Sequence, residues 1–221
     1  MRNQKAFAME FLGTMILAIA VVGSGHMAAL LAPDAGTKLL INALATAIGL
    51  AVVIRIGVKV SGSHFNPVVT LVMLYLKKVD LKTSAFYIAS QIAGAIIGVG
   101  IANFIYEQSF FEVSQIKRDG SNLFVSEVLA TAVLLWIILR FPKRDDLVAL
   151  YVPLWIFGAI LLTSSTSFAN PAITIGRTLT NSITGIAPAS ILLFITAQAI
   201  GAVLGMLVAQ NLTNSSKDNN E

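Results

Sequence analysis

The chain carries 221 residues, 56% of them hydrophobic and only 12% charged, with a mean hydropathy of +0.81. That is too apolar for a soluble globular domain. The formal charge of +4 makes no case for nucleic acid, because the basic residues gather at the ends of apolar runs, and the lack of cysteine removes disulfide, thiol and cysteine-bound zinc chemistry.

A membrane-spanning helix needs about 20 mostly apolar residues. Six such stretches follow one another, near residues 6–31, 38–58, 83–106, 121–141, 147–166 and 187–210. Arg2 and Lys5 ahead of the first resemble a signal peptide. The run is too long for one, carries Glu10 and has a counterpart later, so it reads as a first membrane helix that stays. After the second stretch comes Asn66-Pro67-Val68, and after the fifth comes Asn170-Pro171-Ala172. Each tripeptide ends an apolar run and opens a short helical one. Irregular backbone at membrane depth is tolerated only when buried in protein or lining a water-filled cavity. Two such interruptions at matching places predict a site near the bilayer midplane, built by two half-helices. The polar stretch 214–221 reads as a disordered tail.

The chain also repeats itself. Glu10-Phe11-Leu12-Gly13-Thr14 matches Glu127-Val128-Leu129-Ala130-Thr131, and Gln91-Ile92-Ala93-Gly94-Ala95 matches Gln198-Ala199-Ile200-Gly201-Ala202. The expected organisation is a single transmembrane domain over 1–221, with repeats at about 1–110 and 119–213. Three spans per half is an odd number, which requires the halves to be inverted. With the N-terminus inside, eleven Lys and Arg face the inner side and four, Lys38, Lys117, Arg118 and Arg177, the outer side. That bias puts both termini in the cytoplasm. Gly94, Gly98, Gly201 and Gly205 recur at equal offsets after Gln91 and Gln198, which favours close helix packing over chance small residues in lipid.

At the two interruptions, Pro occupies a first-turn position where its missing N–H costs nothing. Free N–H groups and aligned dipoles of two half-helix N-termini would concentrate partial positive charge at the midplane. The Asn66 and Asn170 amides could donate to a passing oxygen, or simply cap their helices. Glu10 and Glu127 lie inside membrane helices, where a carboxylate is a functional candidate. They could relay protons in a coupled transporter, or accept hydrogen bonds from the Asn-Pro loops. His64 is a candidate for a vestibule or for ordinary packing, and His26 reads as interfacial.

Ser61-Gly62-Ser63-His64-Phe65-Asn66-Pro67-Val68-Val69-Thr70-Leu71 and Asn170-Pro171-Ala172 resemble the signature loops of the aquaporin, or major intrinsic protein, family. The likeness extends to Glu10, Glu127, Gln91 and Gln198. It implies an all-α membrane protein of six spanning helices and two re-entrant half-helices in an inverted repeat. It also implies a passive pore for water and small neutral solutes, and a homotetramer in the lipid bilayer with one pore per subunit. By resemblance the two Asn line the pore, the two Glu support the loops and His64 faces the inner vestibule.

One departure stands out. The family usually places Arg directly after the second Asn-Pro-Ala, and this chain has Ile173. By family spacing the other constriction positions are Thr46, Gly158 and Ser167, all small, so a wide opening is expected. Arg177, four residues further on, lies on roughly the same helical face; it could compensate for the missing Arg or snorkel to the interface. An aliphatic residue at this position resembles a bacterial branch associated with trivalent arsenic and antimony hydroxides, and so suggests a bacterial cytoplasmic membrane. No nucleophile–base pair, metal cluster or phosphate loop appears, so neither enzyme nor cofactor is expected. The rivals are a secondary transporter, which would also use inverted repeats and broken helices, and a scaffold with a closed pore.

Overall fold

The computed structural model describes residues 2–218, with side chains placed for 3–212. It holds eight α-helices: α1 (Arg2–Leu31), α2 (Ala35–Gly57), α3 (Pro67–Tyr75), α4 (Leu81–Ile105), α5 (Ser121–Arg140), α6 (Asp145–Leu162), α7 (Pro171–Gly176) and α8 (Ile191–Asp218). There is no strand among the described residues. All but the two short helices, α3 and α7, are long and apolar enough to cross a membrane. Together they make the chain a multi-pass membrane protein.

Helix α1 packs most extensively on α4, and α5 on α8. The glycines explain both contacts. A Cβ at Gly94 or Gly98 would run into the backbone carbonyls of Phe11 and Met15, and one at Gly201 or Gly205 into those of Val128 and Ala132. Without a side chain the backbones can touch, which is how membrane helices gain packing when lipid removes the hydrophobic drive. Helices α1, α2 and α4 form one trio and α5, α6 and α8 another, joined where α2 meets α6. The half-helices α3 and α7 fill the space between, each touching both α4 and α8.

Two boundaries differ from the sequence reading. The fifth span stops at Leu162, because the Ser/Thr-rich segment after it is drawn into a loop that bonds to Glu127. The last helix runs on through residues 214–218 of the supposed tail, while 219–221 lie outside the described residues.

Candidate functional site: a polar-lipped cavity between two half-helices

Both half-helices begin in the same way. Asn66 and Asn170 are extended N-caps with Pro at the first helical position. The Asn66 Oδ1 accepts from the Val68 N–H at 3.1 Å, and the Asn170 Oδ1 from the N–H groups of Ala172 and Ile173 at 3.0 and 3.4 Å. The helix capping reading therefore holds, yet it accounts for only the acceptor end of each amide. At the donor end, Asn66 Nδ2 donates to the Ala169 carbonyl at 2.7 Å and Asn170 Nδ2 to the Phe65 carbonyl at 2.8 Å. The side chains thus clasp the two loops reciprocally. Each amide nitrogen carries two hydrogens, so the clasp leaves one on each for other acceptors.

The loops ahead of the caps bend alike. Ser63 and Phe65 have φ of 52° and 48°, and their counterparts Ser167 and Ala169 have 46° and 45°. Left-handed φ at a residue with a side chain costs of the order of 1–3 kcal/mol and needs surroundings that hold it. The carboxylates of Glu10 and Glu127 provide them. Glu10 accepts from Ser61 Oγ (2.6 Å), His64 N–H (3.0 Å), Phe65 N–H (2.7 Å) and Gln91 Nε2 (2.7 Å). Glu127 accepts from Ser165 Oγ (2.6 Å), Phe168 N–H (2.8 Å), Ala169 N–H (2.9 Å) and Gln198 Nε2 (2.7 Å). Both carboxylates are fully buried. In each half the Gln then reaches a Thr hydroxyl on the half-helix, Thr70 or Thr174, at 3.0 Å.

A cavity of about 120 Å³ runs past the clasp. A liquid water occupies about 30 Å³, so there is room for a short file of waters. The lining residues keep the same register in both halves. From the half-helices come Asn66, Val69 and Met73 against Asn170, Ile173 and Arg177; from α1 and α5 come Leu17 and Val21 against Leu134 and Ile138. Gly62, Ser63, His64 and Phe65 face Thr166, Ser167, Phe168 and Ala169 from the two loops. A mostly apolar wall with a few polar groups is the usual make-up of a small-molecule passage.

The remaining wall breaks this register. Helix α2 contributes Asn42, Thr46, Leu50 and Ile54, and α6 contributes Val148, Val152, Ile156 and Ile160. Counted back from Asn66 and Asn170, the α6 set is displaced by two residues, or about 200° of helix rotation. Gly158, expected at the constriction, is not part of the wall. It continues the stripe of Leu150, Leu154 and Leu162, which are 51%, 55% and 57% exposed on the outer surface. The reason lies in the local sequence: Val148, Val152, Ile156 and Ile160 form a ladder of branched residues four apart, and that face turns inward. The wall here is therefore bulkier than the glycine suggested.

The other expected residues reach the cavity. Thr46, Ser167, Ile173, His64 and Arg177 line it along with the two Asn. Pro67, Val68, Pro171 and Ala172 are buried in the half-helix starts and do not line it. His64 Nδ1 lies 3.1 Å from Thr70 Oγ1, and its ring meets Tyr87 edge-on. His26 sits away from the cavity against Asn103 Oδ1 at 3.0 Å. Thr46 Oγ1 and Ser167 Oγ are buried without a hydrogen-bond partner among the described residues. Sequence reasoning missed the clasp, the displaced α6 face and the stacking of Arg177 on Phe168, with its guanidinium carbon 3.3 Å from the ring centre. The Asn-Pro spacing held no signal for the donor end of each amide, but the four-residue ladder in α6 was readable.

The family model for the major intrinsic proteins matches residues 1–169, ending one residue short of the second Asn-Pro-Ala. Aquaglyceroporin AqpS of Rhizobium meliloti (strain 1021) is 36% identical over 211 residues, spanning 94% of this chain and 90% of that protein. The glycerol uptake facilitator protein of Pseudomonas aeruginosa is 29% identical over 126 residues, 55% of this chain and 44% of that one. The solved aquaglyceroporin of Plasmodium falciparum shares the fold with a TM-score of 0.75 over 92% of this chain and 93% of that chain, at 22% identity. The chain belongs to the major intrinsic protein family, whose members are membrane channels and not enzymes.

Proposed function

We propose that this protein is a passive channel for water and small neutral solutes of the glycerol type. The observation that carries the reading is the pair of capped half-helices clasped through Asn66 and Asn170 beside one continuous, sparsely polar cavity. The half-helix starts place partial positive charge beside the passage, which repels cations and orients a central water oxygen-first, interrupting proton hopping. The free amide hydrogens of the two Asn serve neutral acceptors. The four-donor shells of Glu10 and Glu127 support a structural role for both carboxylates, because a proton carrier would need an exchangeable site and these are saturated. The shared register of the linings supports inverted halves at about 1–110 and 119–213. The Lys and Arg bias supports cytoplasmic termini, and a bacterial relative at 36% identity supports a bacterial cytoplasmic membrane. Homotetramer assembly rests on family membership.

Arsenite and antimonite hydroxides belong to the proposed solutes. The unpaired hydroxyls of Thr46 and Ser167, beside the uncharged side chain of Ile173, offer partners that suit uncharged, polyhydroxylated acids. The test is a panel of water, glycerol, urea and arsenite permeabilities in proteoliposomes, each with and without a pH gradient. Fast flux of at least water or glycerol, indifferent to the gradient, is expected. Flux that follows the gradient favours a transporter, and no flux above empty vesicles favours a closed scaffold.

A further inference from the structure

Arg177 is 5% exposed, yet it lines the cavity. It stands seven residues after Asn170, the place that Met73 holds after Asn66, so the register of the half-helix points it at the passage. Its Nε donates to the Thr184 carbonyl, and its face lies on Phe168. The two terminal nitrogens have no hydrogen-bond partner among the described residues, and no carboxylate pairs with the group. The carboxylate nearest along the bonded network, Glu127 behind the Phe168 N–H, is already taken up by four donors.

A second cation presses the same point. Arg118 lies over the same Phe168 ring at 5.1 Å and is held by the carbonyls of Gly185 and Ile183 at 2.8 and 3.0 Å. Three successive carbonyls, 183 to 185, thus fasten two guanidinium groups against one aromatic ring. An aromatic face attracts cations but leaves their N–H donors unspent. A buried guanidinium with open donors and no counter-charge is costly to keep, and holding the Thr184 carbonyl takes only its Nε, which leaves the two terminal nitrogens for the cavity.

We propose that Arg177 is the cation of this pore: from one turn beyond Ile173 it supplies the guanidinium that Ile173 lacks, donating to solute oxygens and rejecting cations of solute size. The site takes neutral solutes bearing hydroxyl or carbonyl oxygens, which accept from Arg177 and meet the unpaired hydroxyls of Thr46 and Ser167. This rests on the channel reading above.

The test compares urea with the guanidinium ion, which are alike in size and shape and differ in charge, in proteoliposomes. Wild type should pass urea and exclude guanidinium. Arg177→Gln should raise guanidinium permeability at least about tenfold, equivalent to 1.4 kcal/mol, while urea changes far less. Arg177→Lys keeps the charge and should keep the exclusion. Adding Ile173→Arg to Arg177→Gln should restore it. Overturning results are a wild type that passes guanidinium as readily as urea, urea and guanidinium rising together in Arg177→Gln, or no rescue by Ile173→Arg. If Arg177→Gln does not fold, Arg177→Met, the side chain that Met73 carries at the matching place, is read in its stead with the same expected and overturning results. A wild type that moves neither water, glycerol nor urea refutes the channel reading itself.

Discussion

Replacing Glu127 by Gln separates a loop support from a proton carrier. The carboxylate holds four donors: a hydroxyl, two backbone N–H groups and the Gln198 amide. A Gln side chain offers one oxygen and turns an NH2 towards the other pair. If the NH2 faces Ser165 and Phe168, the Ser165 hydroxyl can rotate to accept, but the Phe168 N–H is stranded. If it faces Ala169 and Gln198, the Gln198 amide can flip to present its Oε1, which lacks a partner among the described residues, but the Ala169 N–H is stranded. Either way one buried backbone donor is lost, at about 1–3 kcal/mol, and the surviving bonds lose their charge assistance. The sum is about 2–4 kcal/mol. For a chain of this size that lowers the unfolding midpoint by roughly 4–16 °C. Glu127→Ala removes all four bonds and strands at least the two backbone donors, roughly 2–6 kcal/mol, a large share of the whole stability of a domain, and should fold poorly. The assay is thermal unfolding in detergent followed by tryptophan fluorescence, since Trp155 Nε1 donates to the Ala130 carbonyl one turn from Glu127. Water and glycerol flux is measured on the same preparations. Glu127→Gln should be less stable but should conduct. An unchanged midpoint with abolished flux would refute the support role and point to proton transfer.

Ile173→Arg should narrow the passage and add a donor fork beside the existing Arg177, so glycerol and arsenite should slow more than water; equal slowing of all three would argue against a size filter there. Gly98→Leu would drive a side chain into the Met15 carbonyl on α1, and should lower stability by about 1–3 kcal/mol or more, whereas Leu at Gly158, whose added Cβ meets nothing closer than Leu162 at 4.0 Å, should be tolerated with permeability unchanged. Asp34 and Asp80 cap α2 and α4 by accepting from Thr37 and Thr83, which lowers both carboxyl groups below the usual 3.8. A depressed folded value means that their contribution is complete above about pH 3.8 and fades as pH falls through the lower folded value. Asp80→Asn, which caps without titrating, should therefore lose less stability than wild type on acidification below that pH.

The architecture was legible because a membrane leaves few options. Unbroken apolar runs announce spans, and an Asn-Pro after such a run, opening a short helical one, announces a half-helix, since irregular backbone at that depth must be buried in protein or line a cavity. The matched Glu10, Glu127, Gln91 and Gln198 marked two equivalent sets of residues that bond the two loops alike, though the repeat alone left relay and support open, and the spaced glycines foretold the α1–α4 and α5–α8 contacts. The clasp was not legible: it joins Asn66 to Ala169, residues 103 apart, through backbone carbonyls that every residue possesses. Gly158, placed by family spacing, does not line the cavity. The branched ladder at 148, 152, 156 and 160 turns a different face inward. Arg177 was placed on the right face by its spacing from Ile173. Its aromatic seat on Phe168 and the neighbouring Arg118 depend on a loop fold that no local pattern encodes.

The central claim is passive conduction through a fixed pore. Its most direct test is stopped-flow measurement of glycerol and water flux in proteoliposomes at several temperatures and gradients. The account predicts flux in both directions that grows linearly with the gradient, with an activation energy well below that of bare lipid and no response to a pH difference. Saturating flux with a high activation energy, or flux driven by the pH difference, would contradict it.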